Sequence, residues 1–106
     1  MANLTIKEAR QIVKKFVEKR KWDKQPLSVD IAFMTEELGE VAKEALILEV
    51  ERKEKKSKDK TLKSLNEELA DLLYWILKVS NRLNLDLEDA FLKKMKKNEK
   101  RCLPKK

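Results

Sequence analysis

The amino-acid sequence predicts an all-α fold built from four helices. Its 106 residues include one glycine and two prolines, which favours long uninterrupted helices. Leu, Lys and Glu, which are good helix formers, dominate the composition. An acidic octapeptide with helical apolar spacing also occurs almost twice, at 34–41 and at 65–72. We therefore expect a single helical domain over 1–106, with its core over 5–101.

The first two helices are predicted from capping residues and apolar spacing. Thr5, with Glu8 three residues later, is typical of a capping box that opens the first helix. A proline-containing loop at 23–27 follows, because the residue before a proline disfavours helical geometry. Ser28 is the predicted N-cap of the second helix, which should run to about Arg52.

The second half of the chain predicts two further helices. A charged segment at about 53–60 has no apolar residue and predicts a solvated connection. The third helix should begin at Thr61 or Ser64. It is so apolar over 72–79 that we expect it to be covered on several sides, partly by another subunit. Asp86 is the predicted cap of the fourth helix.

The duplicated acidic segment predicts a metal site. On a helix, with about 100° between residues, each copy places an apolar stripe on one side and acids next to it. Leu38 belongs to the first stripe and Leu69 to the second. If the two stripes pack together, carboxylates from both copies converge beside the seam. These are Glu37, Glu40, Glu68 and Asp71. Carboxylates so close together repel one another unless a cation lies between them, and the alternative is two solvated acidic faces.

The fourth helix changes along one face from apolar to cationic. Lys94, Asn98 and Arg101 follow its first apolar residues at helical spacing, so they lie on the same face of the helix. One interpretation is that these donors face the acids across a gap, at the distance where an anion bridged to the metal would lie. The alternative is that the helix runs past the core and its end is solvated.

Composition excludes several classes of site and protein. The absence of histidine excludes a His-based triad and the usual His/Cys zinc site. The single cysteine, Cys102, excludes an internal disulfide and is typical of a reducing compartment. No signal peptide or long apolar span is visible, so we expect a cytoplasmic protein with no membrane partner. The net charge of +7 comes from residues 93–106, which hold eight Lys/Arg and one acid.

Taken in order, these motifs resemble those of the MazG family, all-α nucleoside triphosphate pyrophosphatases grouped with dimeric dUTPases and dCTP pyrophosphatases. The similarity spans about Trp22 to Arg101. It rests on the EExxE of 36–40, the ExxD of 68–71, and 86–90 followed by the basic helix end. It implies a four-helix unit that assembles into interleaved helical bundles, as a homodimer or a dimer of dimers.

The resemblance also implies a reaction and roles for residues. The reaction is hydrolysis of a (deoxy)nucleoside triphosphate between the α- and β-phosphates, with Mg²⁺ or, as a substitute, Mn²⁺. The implied metal ligands are acids of both copies: Glu37, Glu40, Glu68 and Asp71. The implied catalytic acids belong to the first copy: Glu36, Glu37 and Glu40. The implied phosphate-binding residues are Lys94, Asn98 and Arg101. Trp22 matches the base-binding aromatics only in part, and Cys102 stands where relatives often have an aromatic residue.

Two other functions stay open at this point. A helical nucleic-acid binder would use the basic segment 93–106 and bind with strong salt dependence. The duplicated acids count against it, because they would repel phosphate unless a metal is present. A catalytically silent, partner-binding bundle is the other alternative, and the intact acid set disfavours it. The residues leave base and sugar specificity open, as well as a role in cleansing the nucleotide pool or in regulation.

Overall fold

The computed structural model describes residues 3–101 and contains four α-helices. They are α1 (Ile6–Lys19), α2 (Leu27–Lys53), α3 (Asp59–Arg82) and α4 (Leu87–Arg101). Over 3–101 there is no strand, so the predicted all-α fold is confirmed. No helix in this range is both long enough and apolar enough to cross a membrane. Cys102 and the rest of the basic C-terminal end lie outside the described residues.

Two of the predicted helix caps are present. The Thr5 hydroxyl accepts a hydrogen bond from the backbone N–H of Glu8 at 3.0 Å. The Glu8 carboxylate accepts one from the backbone N–H of Thr5 at 2.9 Å, which completes the capping box. At α4, Asp86 Oδ1 accepts a hydrogen bond from the backbone N–H of Asp89 at 3.0 Å. Both caps satisfy N–H groups that the helix itself leaves unpaired.

Two predicted helix starts are wrong by a few residues. Pro26, not Ser28, is the N-cap of α2. Its φ of −59° is already close to the helical value, and its missing N–H would have no helical partner at this position. The third helix begins at Asp59, ahead of either predicted start, and the Asp59 carboxylate in the first turn interacts favourably with the helix dipole. The non-helical connection between α2 and α3 is therefore only 54–58.

The second and third helices form an antiparallel hairpin, against which the other two helices pack. Asp30 near the start of α2 pairs with Lys78 near the end of α3, and Glu37 further along α2 meets Glu68 earlier on α3. α1 packs against α3, and α4 packs mainly against α1. Within 3–101 the buried apolar residues come from α1 and α3: Val13, Val17 and Leu77.

The seam between α2 and α3 differs from the predicted one. Its buried and half-buried positions alternate three and four residues apart, as in a coiled coil. On α2 they are Met34, Glu37, Val41, Glu44, Leu48 and Glu51, and on α3 they are Thr61, Leu65, Glu68, Leu72, Trp75 and Val79. Two of the predicted metal ligands, Glu37 and Glu68, thus lie in the seam itself rather than beside it. Leu38 and Leu69, which were predicted to fill the seam, are 55% and 47% exposed.

The rotated seam leaves apolar side chains on the outer faces of the hairpin. Leu46 and Val50 on α2 and Leu73 on α3 are also at least half exposed. The radius of gyration is 17.0 Å, compared with about 13 Å for a compact domain of this length. One chain therefore presents more apolar surface than its own helices cover.

Candidate metal centre and the adjoining aromatic pocket

Three carboxylates from α2 and α3 converge where the two helices face each other. One oxygen from each of Glu37, Glu68 and Asp71 lies within 4.8 Å of the others. Glu37 and Glu68 occupy facing seam positions, and Asp71 follows Glu68 by almost one helical turn. Oxygens that share one hard cation lie up to about 4.2 Å apart around Mg²⁺ and about 5 Å apart around Ca²⁺. The acids therefore have a spacing close to that of a metal centre.

The neighbouring carboxylates raise the pKa of Glu37. Its pKa is raised from the ordinary 4.5 to about 7, first by a hydrogen bond with Glu68, for which one carboxyl must carry a proton. Burial and the negative charges of Glu68, Asp71 and Glu40 raise it further. The Oε2 atom of Glu37 is buried and has no hydrogen-bond donor among the described residues. A divalent cation would supply both the missing partner and the opposite charge, so these residues fit one.

The structure brings together three of the four predicted metal ligands. Glu40 is close enough to raise the pKa of Glu37 but lies outside the three-acid group. Glu36, predicted to be catalytic, directly precedes Glu37 on α2 and is exposed to solvent.

The predicted phosphate-binding residues lie on a different face of the chain. Lys94 and Arg101 are exposed on α4, and Asn98 is half-buried. Because α4 packs mainly against α1, packing within the described chain does not bring these residues onto the α2–α3 acids. Any approach of the two groups would have to come from elsewhere, such as a second copy of the chain.

A cavity of about 530 Å³ adjoins the acid cluster. Asp71 lines this cavity as well as belonging to the cluster, so the two features share a carboxylate. Five of the six aromatic residues of the chain line it: Phe16, Trp22, Phe33, Tyr74 and Trp75. Phe33 stacks on Trp75 with ring centroids 5.2 Å apart. Such aromatic faces are suited to binding a planar heterocycle, and Trp22, the predicted base-binding residue, lies in the wall.

The polar end of this cavity was not predicted from the sequence. Lys78 is 4% exposed, and its Nζ donates to Asp30 Oδ1 at 2.9 Å and to Gln25 Oε1 at 3.0 Å. Asp30 is completely buried. The one available signal was a single lysine after the most apolar run of the chain, at 72–77. A lysine so placed needs a buried acidic partner, but the sequence does not say which acid provides it.

Without metal, the free energy of unfolding should fall as the pH rises from about 5 to about 8. The folded chain keeps a proton on Glu37 up to a pKa of about 7, whereas the unfolded chain loses it near 4.5. The folded state therefore binds more protons in this window. This contribution to stability is complete below pH 4.5 and is lost as the pH rises through 7. Urea unfolding with a chelator, at both ends of the window, measures the difference.

Glu37→Gln is the control for this pH dependence, because an amide does not titrate. Its stability should change less with pH than that of the wild type, and saturating Mg²⁺ should remove the wild-type loss at high pH. Equal wild-type stability at both pH values in chelator would contradict the prediction.

Similarity to known proteins points to the same part of the chain. A family model described as the MazG nucleotide pyrophosphohydrolase domain matches residues 25–104. That range includes all three clustered acids and the basic positions of α4, whereas α1 and Trp22 precede it. The chain is also similar to the uncharacterized protein YpjD of Bacillus subtilis (strain 168). The two are 33% identical over 91 residues, which cover 85% of this chain and 79% of YpjD.

Proposed function

Because this chain belongs to the MazG nucleotide pyrophosphohydrolase family, we propose that it hydrolyses (deoxy)nucleoside triphosphates between the α- and β-phosphates. The products are the nucleoside monophosphate and pyrophosphate, and the reaction requires Mg²⁺. The main support is the position of Asp71, which belongs both to the acid cluster and to the wall of the aromatic cavity. A nucleotide needs both features side by side, one for its base and one for its charged phosphates.

In this proposal the acids of α2 and α3 form the metal-binding half of the site. Glu37, Glu68 and Asp71 would hold the metal, and Glu40, whose charge already acts on Glu37, would join them as a fourth ligand. Mg²⁺ held by these residues would neutralise phosphate charge and lower the pKa of a water beside it. Glu36 lies next to Glu37 on the exposed side of α2, where its carboxylate helps to order the attacking water.

The aromatic cavity forms the other half of the site and receives the nucleobase. Its volume of about 530 Å³ lies within the range common for small-molecule sites. Stacking against aromatic side chains contributes about 1–3 kcal/mol per base and tolerates different bases. Because Asp71 lies at the boundary of the cavity, a base bound there directs its phosphates towards the clustered acids.

We also include a homo-oligomer in the proposal, either a dimer or a dimer of dimers. Leu38 and Leu69 are exposed, whereas Glu37 and Glu68 lie in the seam, which suits a hairpin whose outer faces are covered by a second copy. The same assembly would provide a route for the cationic residues of α4 to reach phosphates held by another subunit. Sedimentation equilibrium gives the number of subunits, and a monomer at micromolar concentration would contradict this part.

Product analysis tests the proposed reaction. The protein is incubated with a panel of canonical and modified nucleoside triphosphates, with Mg²⁺ or with a chelator. We expect equal amounts of pyrophosphate and nucleoside monophosphate, and none in chelator. Release of orthophosphate and a diphosphate would contradict cleavage between the α- and β-phosphates. No turnover of any nucleotide would contradict the enzymatic function.

A further inference from the structure

We propose that Gln25, oriented by the buried Lys78–Asp30 ion pair, reads the edge of the base and favours an oxo group over an amino group. Hypoxanthine and uracil carry such an oxo group, whereas adenine and cytosine carry an amino group at the corresponding position. The inference rests on the proposed function in one respect, namely that the aromatic cavity holds a nucleobase.

The Lys78 ammonium orients the Gln25 amide. Lys78 Nζ lies 3.0 Å from Gln25 Oε1. A lysine ammonium has only donors, so the amide oxygen of Gln25 must face it. The amide NH₂ group then points away from Lys78. Because Gln25 lines the cavity, this group is offered as a donor to whatever the cavity holds.

The Lys78 side chain is itself held in one position. Lys78 Nζ and Asp30 Oδ1 are 2.9 Å apart, and the two side chains are 4% and 0% exposed. A buried ion pair of this kind cannot exchange its partner for water without a large desolvation cost. Nζ also lies 4.9 Å from the centroid of the Trp75 ring, which adds a cation–π contact. Lys78 therefore holds one position and fixes the direction of Gln25.

The other polar groups around the cavity can also donate hydrogen bonds. Lys78 lines it and can only donate. The Tyr74 hydroxyl, also in the wall, is buried and has no hydrogen-bond partner among the described residues. Burial, together with the negative charge of Asp30, raises the pKa of Tyr74, so it keeps its proton and can donate. Asp71 is the acidic group in the lining, and the metal would engage it. Lys78 and the Gln25 amide thus present donors to the base, whereas the Tyr74 hydroxyl can donate or accept and does not oppose them.

A base with an oxo group pairs with these donors, whereas an amino group would place donor against donor. A buried donor left without an acceptor weakens binding, so the dissociation constants of an oxo nucleotide and its amino counterpart should differ about 10-fold. Sites that bind a substrate through a hydrogen bond discriminate strongly against analogues that cannot form it.

Nucleoside monophosphate binding tests the inference without relying on hydrolysis. Both tryptophans of the chain line the cavity, so their fluorescence reports occupancy directly. Inosine monophosphate is compared with adenosine monophosphate, and uridine monophosphate with cytidine monophosphate, in Mg²⁺. We expect the wild type to bind the oxo member of each pair about 10-fold more tightly.

Gln25→Glu is the decisive variant. A carboxylate still accepts from Lys78, but its second oxygen offers an acceptor where Gln25 offered a donor, so the preference should reverse towards the amino bases. Gln11→Glu makes the same change on the exposed surface of α1 and should keep the wild-type preference. Gln25→Leu removes the amide altogether. It should reduce the preference for the oxo base to about 2-fold or less, because the discriminating hydrogen bond is lost.

Three results would overturn the inference. The first is equal affinity of the wild type for both members of each pair. The second is an unchanged preference in Gln25→Glu when circular dichroism shows that the variant is folded. The third is the absence of a fluorescence response to any nucleotide. Failure of the proposed function is a separate result, since it would show as absent pyrophosphate release regardless of base preference. Hydrolysis without base preference would remove this inference alone.

Discussion

Asp71→Asn should lower Mg²⁺-dependent pyrophosphate release by at least about 100-fold, because losing even an outer partner of a metal ligand costs 10–100-fold. Asp71 is one of three acids whose oxygens lie within 4.8 Å of one another, and it also borders the aromatic cavity. The amide keeps the size of the side chain but removes the charge that binds the cation. Steady-state rates over a Mg²⁺ titration measure the effect as a loss of both apparent metal affinity and maximal rate.

Asp59→Asn is the matched control, since it makes the same change on the same helix but outside the cluster. Its activity should stay near that of the wild type. Without metal, Asp71→Asn should be no less stable than the wild type, because the negative charge of Asp71 is one cause of the raised pKa of Glu37. Wild-type kcat/KM in Asp71→Asn would contradict the assignment, and a low rate accompanied by unfolding would show a structural effect instead.

Lys78→Met should lower the free energy of unfolding by about 3–5 kcal/mol, the usual cost of removing one partner of a buried ion pair. The substitution leaves Asp30, which has no solvent exposure, without its cation and without the 2.9 Å hydrogen bond from Nζ. Its other carboxylate oxygen, Oδ2, already lacks a donor among the described residues. Urea unfolding at constant protein concentration and neutral pH measures the loss.

Two further variants decide whether the unpaired charge is the cause. Lys93→Met breaks an ion pair of similar length, 3.0 Å to Asp89, whose side chains are 76% and 53% exposed. It should cost less than about 1 kcal/mol, because water screens an exposed pair. The double variant Asp30→Asn/Lys78→Met should recover much of the loss seen in Lys78→Met. A Lys78→Met cost as small as that of Lys93→Met would show that the pair does not stabilise the fold.

The helices, and the common side of α3 shared by Glu68 and Asp71, could be predicted because both depend on local spacing. Thr5 with Glu8 and Asp86 mark helix starts through contacts three residues apart, and these are visible in the sequence. Glu68 and Asp71 share one side of α3 because of the same spacing. Such signals need no knowledge of how the helices pack.

The rotation of the helices could not be predicted, because α3 is apolar around most of its surface. The spacing of apolar residues alone allowed Leu69 to face α2. In the structure Glu68 faces α2 instead. The partnership of Asp30 and Lys78, 48 residues apart, depends on the antiparallel alignment of two helices that local spacing does not fix. The packing of α4 on α1 is likewise decided by contacts between distant segments. The missed features are all tertiary.

The acid cluster forms only when α2 and α3 are correctly aligned along their axes. One helical turn advances about 5.4 Å, more than the whole 4.8 Å span of the acid cluster, so a slip by one turn would disperse its oxygens. The Lys78–Asp30 pair fixes the same alignment two turns away. This pair lies at the end of the hairpin opposite the connection at 54–58, so it holds the alignment independently of that connection. The spacing of the clustered acids is thus governed by helix alignment rather than by a loop.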